Sequence, residues 1–204
     1  MIAVIDYGVG NLFSLTSSLA YIGVDAVVTH DPEVIASCDK IILPGVGAFE
    51  DAAKKLHDSG MDVVIKKEAA EGKPILGICL GMQMLFEKSY EYGEHQGLGL
   101  IPGSVKPLNM IIPGGLKIPQ MGWNKLDFTK NKEKSILYRY ISEEEYVYFV
   151  HSYAAVGCDD YLSATTEYGT AVTASVEKRN VYGTQFHPET SGATGLKILK
   201  AFCE

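Results

Sequence analysis

Pro74-Ile-Leu-Gly-Ile-Cys79-Leu-Gly-Met-Gln83 joins an apolar run to a helical stretch through a cysteine that has a glycine two residues to either side. An apolar run that ends in glycine predicts a buried strand, residues 74–78, with Cys79 in the turn before a helix. This is the cysteine form of the G-x-S-x-G nucleophile elbow, in which small neighbours allow strand and helix to pack closely around a strained nucleophile. The alternative is a buried structural cysteine, and the paired glycines favour the nucleophile.

The first half of the chain alternates apolar runs with helical stripes, which is typical of a parallel sheet covered by helices. It predicts strands at residues 2–5, 26–28, 40–43 and 74–78 and helices at 12–22, 47–60 and 61–70. After Gly97, β-branched and aromatic runs predict antiparallel strands and hairpins at 105–108, 116–118, 146–150, 170–176 and 180–186, before a last helix at 192–202. We expect a single α/β domain over residues 1–204 with a mostly parallel central sheet and added antiparallel strands in its C-terminal half.

Composition narrows the function classes. The 204 residues are 47% hydrophobic and 21% charged, which is typical of a globular chain that can bury about 70% of its surface. The net charge of -7 argues against a nucleic-acid partner, because phosphate binding needs clustered cations. The longest uncharged apolar stretch, residues 74–86, is shorter than the ~20 residues of a membrane span. No Lys or Arg precedes Lys40, whereas a secretory signal needs a positive segment ahead of its apolar stretch. We expect a cytoplasmic protein without membrane contact.

Metals and cofactors are not expected. Four widely spaced cysteines without a CxxC pair argue against a zinc site and against a disulfide framework: Cys38, Cys79, Cys158 and Cys203. Gly8-Val9-Gly10 starts like a dinucleotide fingerprint, but Phe13 stands where that motif needs its last glycine.

A nucleophilic thiol needs a base, and Gln185-Phe-His187-Pro-Glu189 offers one. In an extended segment, positions 187 and 189 point to the same side, so Glu189 would orient the imidazole while its other nitrogen faces Cys79. Taken alone, the triplet fits a surface histidine beside a solvated carboxylate equally well. The combination with the elbow favours the catalytic interpretation.

Two further segments could complete a site. Leu43-Pro44-Gly45-Val46-Gly47 ends a strand before a helix and would offer free backbone amides to an oxyanion, although it could equally be only a tight connection. His151, at the end of the strand predicted at 146–150, could line the site, but we favour a hydrogen-bonded structural role.

Together these motifs resemble the class I, or triad, glutamine amidotransferases. Within that class, four further segments resemble the glutaminase subunits of imidazole glycerol phosphate synthases: Asp6-Tyr-Gly-Val-Gly-Asn11-Leu, Leu-Pro44-Gly-Val-Gly47-Ala-Phe, Pro119-Gln-Met-Gly-Trp-Asn124 and Tyr148-Phe-Val-His-Ser-Tyr153. The matches run from Asp6 to Glu189, and six matches in order are highly specific. The resemblance implies a flavodoxin-like fold.

It also implies hydrolysis of L-glutamine to glutamate and ammonia through a thioester. Cys79 would attack the amide, His187 would relay the proton and Glu189 would orient His187. The implied oxyanion hole comprises the amide of Leu80 and an amide near Val46 or Gly47. The implied glutamine contacts are Gln83, Glu91 and the backbone of Ser152 and Tyr153.

The partner that the resemblance implies is a separate (β/α)₈ cyclase subunit, which would use the ammonia to form imidazole glycerol phosphate in histidine synthesis. We expect a heterodimer whose interface includes Asn11, Ser14, Gln120, Met121, Trp123 and Asn124. A lone Trp in a Pro- and Gly-flanked loop suits an interface anchor, although a core aromatic is equally compatible with the sequence.

Two positions depart from the family pattern: Gln120 stands where histidine is common, and Thr190-Ser191 where Lys-Ser is common. Neither touches the triad, but both weaken the expectation that partner contacts follow the usual pattern. Three alternatives stay open. They are a paralogous glutaminase that feeds a sugar-modifying synthase of surface polysaccharide, a related cysteine hydrolase such as a peptidase, and a non-catalytic partner protein.

Overall fold

The computed structural model describes residues 1–130 and 133–204. Its strands are β1 (Ile2–Ile5), β2 (Ala26–Thr29), β3 (Lys40–Leu43), β4 (Ile75–Ile78), β5 (Phe86–Ser89), β6 (His95–Gln96), β7 (Ile101–Pro107), β8 (Gln120–Lys125), β9 (Asp127–Phe128), β10 (Tyr146–His151), β11 (Tyr153–Val156), β12 (Leu162–Glu167), β13 (Ala171–Lys178) and β14 (Val181–Thr184). Its α-helices are α1 (Leu12–Tyr21), α2 (Pro32–Ser37), α3 (Phe49–Asp58), α4 (Met61–Ala70), α5 (Leu80–Met84) and α6 (Gly192–Cys203).

Eight strands form the main sheet in the order β2-β1-β3-β4-β14-β13-β12-β9. The first five are parallel to one another, and β13, β12 and β9 add an antiparallel extension. A second sheet has the order β11-β7-β5-β6, and β8 pairs with β10 in an antiparallel ribbon. The predicted fold class, a mostly parallel sheet with helices and antiparallel strands in the C-terminal half, is confirmed.

Helices cover both faces of the main sheet, and alternate residues of each strand point to opposite faces. One face packs against α3 and α4 through Ala3, Ile5, Ile41, Leu43 and Ile75. The other packs against α1 and α6 through Ile2, Val4, Ile42, Leu76 and Ile78. Burial on both sides explains why these strands are continuous apolar runs in the sequence.

Several predicted elements need correction. Residues 116–118 form no strand, because Gly114 and Gly115 precede them and Pro119 follows, leaving too short a run for pairing. The segment 119–124, predicted as a loop, is mostly strand β8, whose residues pair in register with β10 despite Gly122. The run at 180–186 is not only a hairpin partner: β14 pairs antiparallel with β13 and parallel with β4.

That parallel pairing positions the candidate site. The register sets Leu43 beside Gly77 and Ile78 beside Thr184, so β3, β4 and β14 end at the same edge of the sheet. Ligands of open α/β sheets bind outside these carboxyl ends. The turn after β3, Cys79 after β4 and His187 shortly after β14 therefore lie close together.

Gly81 is the tightest point between α5 and the sheet. A Cβ atom on Gly81 would lie 1.9 Å from the carbonyl oxygen of Leu43, which is backbone and cannot swing away. We expect Gly81→Ala to lower the free energy of unfolding by about 3 kcal/mol, measured by urea denaturation. The control is Gly114→Ala, because nothing lies within 4 Å of an added Cβ there. Equal stability of the two variants would contradict this packing.

Candidate active site

Cys79 sits in a strained backbone conformation, with φ 53° and ψ -109°. Few non-glycine residues adopt positive φ, and such strain clusters at functional sites. A Cβ atom on Gly77 would approach the carbonyl oxygen of Gly81 to 2.6 Å, so glycine is required before the turn as well as after it. The elbow predicted from the two glycines is present. The helix after it, α5, has only five residues, so its dipole is that of little more than one turn.

His187 lies beside Cys79 and is held from several sides. Its Nδ1 is 2.8 Å from Oε1 of Glu189, its backbone N–H donates to the carbonyl of Tyr148 at 3.1 Å, and the Ser191 hydroxyl donates to its carbonyl at 2.6 Å. Residues 188–190 form one turn of 3-10 helix, not the extended segment we expected. The turn still brings the carboxylate into contact with the imidazole, and both side chains are nearly fully buried.

The charge state of His187 follows from these contacts. Burial alone disfavours the charged imidazole, but hydrogen bonds and charge attraction from Cys79 and Glu189 outweigh it and raise the pKa of His187 to about 10. The histidine is therefore an imidazolium at neutral pH, in hydrogen-bond contact with the thiol group. The two groups are therefore placed for proton transfer between sulfur and imidazole.

The turn after β3 approaches the nucleophile from the other side. The Leu80 N–H donates to the carbonyl of Gly45 at 3.3 Å. The Tyr7 hydroxyl, which is buried, donates to the neighbouring carbonyl of Pro44 at 2.7 Å. In this arrangement the Leu80 amide is already engaged by a carbonyl, and Gly47 (φ 102°) bends the turn away.

A cavity of about 690 Å³ opens over Cys79. Its walls include the predicted nucleophile and base, all three predicted oxyanion residues and all four predicted glutamine contacts: Cys79, His187, Val46, Gly47, Leu80, Gln83, Glu91, Ser152 and Tyr153. Glu189 lies behind His187, outside the lining. The volume lies in the range of small-molecule sites.

Four polar groups line the far side of this cavity. The Gln83 amide donates to the carbonyl of Tyr153 at 3.1 Å, and the Glu91 carboxylate accepts the N–H of Phe49 at 2.7 Å, at the start of α3. The backbone of Ser152 and Tyr153 runs from the end of β10 into β11. The structure thus brings Glu91, placed in the sequence only by its distance from Cys79, to the same cavity as Gln83.

The predicted interface residues lie on β8 and at the start of α1. Trp123 and Met121 are 52% and 63% exposed, and the Trp123 ring packs edge-on against Tyr148 at 5.9 Å. Trp123 is therefore not a core aromatic. The Asn11 side chain accepts the N–H of Ser14 at 3.3 Å and caps α1.

Gln120 is a correction to the predicted interface. It is 0% exposed, because the pairing of β8 with β10 turns its side chain inward, and so it offers no surface to a partner. Asn124 is half-buried and hydrogen-bonded to it.

Two polar side chains at the site carry no role in the sequence analysis, Tyr7 and Gln185, and a third, His151, has only a structural one. Gln185 is fully buried, and its amide donates to Sγ of Cys79 at 3.7 Å. The predicted structural role of His151 agrees with its two hydrogen-bond contacts, to the Tyr153 carbonyl and to Gln120, but its ring also lines the cavity. Gln185 stands two residues before His187, and that proximity was the available signal.

Comparison with known proteins agrees with the fold. A family model described as "Glutamine amidotransferase class-I" matches residues 3–204. Two solved structures share the fold: a "glutamine amidotransferase" (17% identity, TM-score 0.76, 99% of this chain and 97% of that one) and "PurLQS from Thermotoga maritima" (22% identity, TM-score 0.72, 98% and 96%). The chain belongs to the class I glutamine amidotransferase family of enzymes.

Closer relatives narrow the family. The proteins named "Imidazole glycerol phosphate synthase subunit HisH" from Caldanaerobacter subterraneus subsp. tengcongensis and Sulfurimonas denitrificans are 51% and 50% identical to this chain. The alignments cover 100% and 99% of this chain and 98% and 97% of those proteins. Within the class, the chain is a member of the HisH family.

No helix among residues 1–130 and 133–204 has the length and apolar character to cross a membrane. Within the same ranges, no group of three or more His, Cys, Asp or Glu side chains is arranged to hold a metal ion.

The raised pKa of His187 predicts a pH-dependent stability. The pKa is about 10 in the folded chain against ~6.5 in an unfolded one, so the stabilisation is complete below pH ~6.5 and is lost as pH rises through 10. We expect Glu189→Gln to lower the free energy of unfolding by about 1.5–3 kcal/mol at pH 6. The loss should shrink toward pH 10.

Urea denaturation at pH 6, 8 and 10, with NMR titration of His187, measures both effects. The control is Glu143→Gln, because Glu143 is exposed. A destabilisation that stays constant with pH, or a His187 pKa that does not fall in Glu189→Gln, would contradict the assigned ion pair.

Proposed function

We propose that this chain is the glutaminase subunit of an imidazole glycerol phosphate synthase and acts in the cytoplasm in L-histidine biosynthesis. It hydrolyses L-glutamine to glutamate and ammonia, and it passes the ammonia to a cyclase subunit. The observation that carries the proposal is the contact between Cys79, at the strained end of β4, and His187, which Glu189 holds at 2.8 Å. The strong similarity to HisH subunits supports the choice of synthase.

The chemistry follows from the charge states at the site. The Cys79 thiolate attacks the side-chain amide carbon of glutamine, and the carbonyl electrons move to the oxygen. When the tetrahedral intermediate collapses, the C–N bond breaks and His187 gives its proton to the leaving nitrogen, which departs as ammonia. Neutral His187 then takes a proton from water as the water attacks the thioester. Glutamate leaves, and the thiolate–imidazolium pair is restored with Glu189 still orienting the ring.

The oxyanion needs N–H donors aimed at its position. The nearest candidate is the amide of Leu80, which in the resting arrangement donates to the carbonyl of Gly45. Rotation of the Gly45–Val46 peptide would free the Leu80 amide and turn the Val46 N–H toward the cavity. Rotation of the following peptide would present the N–H of Gly47 instead. We therefore propose that the resting chain is a slow glutaminase.

The far side of the cavity supplies the groups that an amino-acid substrate needs. The Glu91 carboxylate suits the positively charged α-amino group of glutamine. Both N–H groups of the Gln83 amide are engaged by the Tyr153 carbonyl and by Gln185, so its side-chain oxygen is the group that can accept from the same ammonium. Backbone groups of Ser152 and Tyr153 would complete the binding site. These contacts hold the α-end so that the side-chain amide points toward Cys79.

We propose that the partner is a (β/α)₈ cyclase subunit, bound as a heterodimer. The exposed side chains Met121 and Trp123 on β8, together with Asn11 and Ser14 at the start of α1, offer the docking surface, with Asn124 at its half-buried edge. Strand β8 pairs with β10, which runs into the wall of the cavity at Val150 and His151. A partner bound to β8 would therefore be separated from the cavity over Cys79 by strand β10.

Glutamate release tests the enzymatic proposal. We expect Cys79→Ala to lower the rate at least about 10⁴-fold, because the nucleophile is lost. Cys203→Ala, which removes a thiol from the last helix, should keep the rate. The wild-type rate should rise strongly only when the cyclase and its nucleotide substrate are both added.

The other outcomes are distinct. A Cys79-dependent rate that the cyclase does not stimulate would keep the glutaminase and favour the alternative, a paralogue that supplies ammonia to a sugar-modifying synthase. No Cys79-dependent release under any condition would contradict the enzymatic proposal.

The exposed Trp123 predicts an interface anchor. Truncation of a central interface aromatic costs about 2 kcal/mol or more, so Trp123→Ala should weaken cyclase binding by roughly 30-fold or more. Isothermal titration calorimetry with purified cyclase measures the dissociation constant. Tyr21→Ala, an exposed aromatic at the opposite end of α1, is the matched control. Equal affinities for the two variants would contradict the proposed docking surface.

A further inference from the structure

A series of hydrogen-bonded groups, made of side-chain amides, one imidazole and one backbone carbonyl, runs from strand β8 to the nucleophile. It is separate from the contacts among Cys79, His187 and Glu189. Gln120 and His151 are cross-strand neighbours in β8 and β10, and both are buried. Oε1 of Gln120 is 3.1 Å from Nε2 of His151, and Nδ1 of His151 is 2.8 Å from the carbonyl oxygen of Tyr153. Both ring nitrogens of His151 are therefore in hydrogen-bond contact with a neighbouring group.

The protonation of His151 decides the direction of these bonds. Burial lowers the pKa of His151 to about 4. The hydrogen bond to the Tyr153 carbonyl raises this pKa, and the positive charge of His187 lowers it further. A neutral imidazole has one N–H, and the Tyr153 carbonyl can only accept, so the proton is on Nδ1. Nε2 is then an acceptor and requires a donor from Gln120.

The Gln120 amide can supply that donor. Its oxygen and nitrogen ends have the same shape, so a half-turn of the amide places its NH₂ group against Nε2 without moving any neighbour. The oxygen then faces Asn124, whose amide lies 3.2 Å away and can turn in the same way. The bond given up is the outermost one, from Asn124 to the Glu167 carbonyl at 3.4 Å.

At its inner end this series of hydrogen-bonded groups reaches the reacting atom. The Tyr153 carbonyl, which accepts from His151, also accepts from the Gln83 amide at 3.1 Å. The same Gln83 nitrogen is 3.0 Å from Oε1 of Gln185, whose amide nitrogen is 3.7 Å from Sγ of Cys79. A displaced His151 would thus move the carbonyl to which Gln83 is anchored.

We propose that Gln120 is a positioning residue of the glutaminase: it donates to Nε2 of neutral His151 and locks the Nδ1–H tautomer, which holds the Tyr153 carbonyl and, through it, Gln83. The functional part of this inference rests on the proposed function. Gln120 begins the strand that exposes Met121 and Trp123, so the bond from Gln120 to His151 ties the docking surface to the wall of the glutamine site. The charged group that acts on His151 is His187, itself paired with Glu189 and Cys79.

The tautomer can be read directly, without substrate, by ¹⁵N NMR of the histidine rings in the full chain. We expect wild-type His151 to be a neutral Nδ1–H imidazole from pH 5.5 to 8. Gln120→Glu replaces the donor by a carboxylate that only accepts, and it should convert His151 to the doubly protonated form. An Nε2–H tautomer or a doubly protonated ring in the wild type at pH 7 would overturn the proposal.

Kinetics of the complex with the cyclase test the positioning. We expect Gln120→Leu, which leaves Nε2 without a partner, to raise KM for glutamine about tenfold while kcat changes less than about threefold, because the loss is in substrate binding. Gln120→His keeps a ring N–H and should restore KM. Gln96→Leu, at an exposed glutamine, is the matched control.

The outcomes separate the two proposals. An unchanged KM in Gln120→Leu, or a fall confined to kcat, would overturn the positioning role even with the expected tautomer. Absence of Cys79-dependent hydrolysis in the wild type would overturn the proposed function, and the NMR measurement would still decide the tautomer of His151.

Discussion

The parallel pairing of β4 between β3 and β14 is the constraint on which the site depends. Because the three strands end at one edge, the turn after β3, Cys79 and His187 converge without any long-range loop. The pairing requires close contact between α5 and the sheet, and glycine at positions 77 and 81 permits it. The strained φ of Cys79 is tolerated because hydrophobic packing on both faces of the sheet fixes the strand that precedes it.

Much of this arrangement could be predicted from local sequence. The strands of the parallel half are continuous apolar runs because both faces are buried, and the elbow has a steric signature in Gly77 and Gly81. Such signals are local, so they can be recognised in the sequence without knowledge of the fold. Strand β8 has no comparable signal: it contains Gly122 and follows Pro119, and it forms a strand only because β10 pairs with it along its length. The parallel pairing of β14 with β4 is not predictable in this way either, because neither strand's own sequence specifies its register with a strand distant in the chain.

Two buried side chains near the nucleophile, Gln120 and Gln185, have no local sequence signal for their positions. Gln120 was assigned to the interface because its neighbours Met121 and Trp123 belong to an exposed motif, but alternation along a strand turns every second side chain inward. Its burial follows from the strand, and the strand was not predicted. Gln185 was overlooked because an amide beside a thiol has no spacing rule. Its contact with Cys79 arises from the parallel register of β14 with β4.

The site combines a nucleophile that is already in contact with its base and an N–H donor that is engaged elsewhere. The Cys79–His187 contact is already formed, whereas the Leu80 amide donates to the carbonyl of Gly45. For an enzyme whose product is ammonia this division is sensible, since ammonia released without an acceptor is protonated and lost to water. On the proposed function, control is best placed on the oxyanion donor and on the glutamine contacts, which lie beside the glycine-containing turn after β3 and beside strand β10. The nucleophile itself needs no regulation, because without an oxyanion donor its attack on an amide is not stabilised.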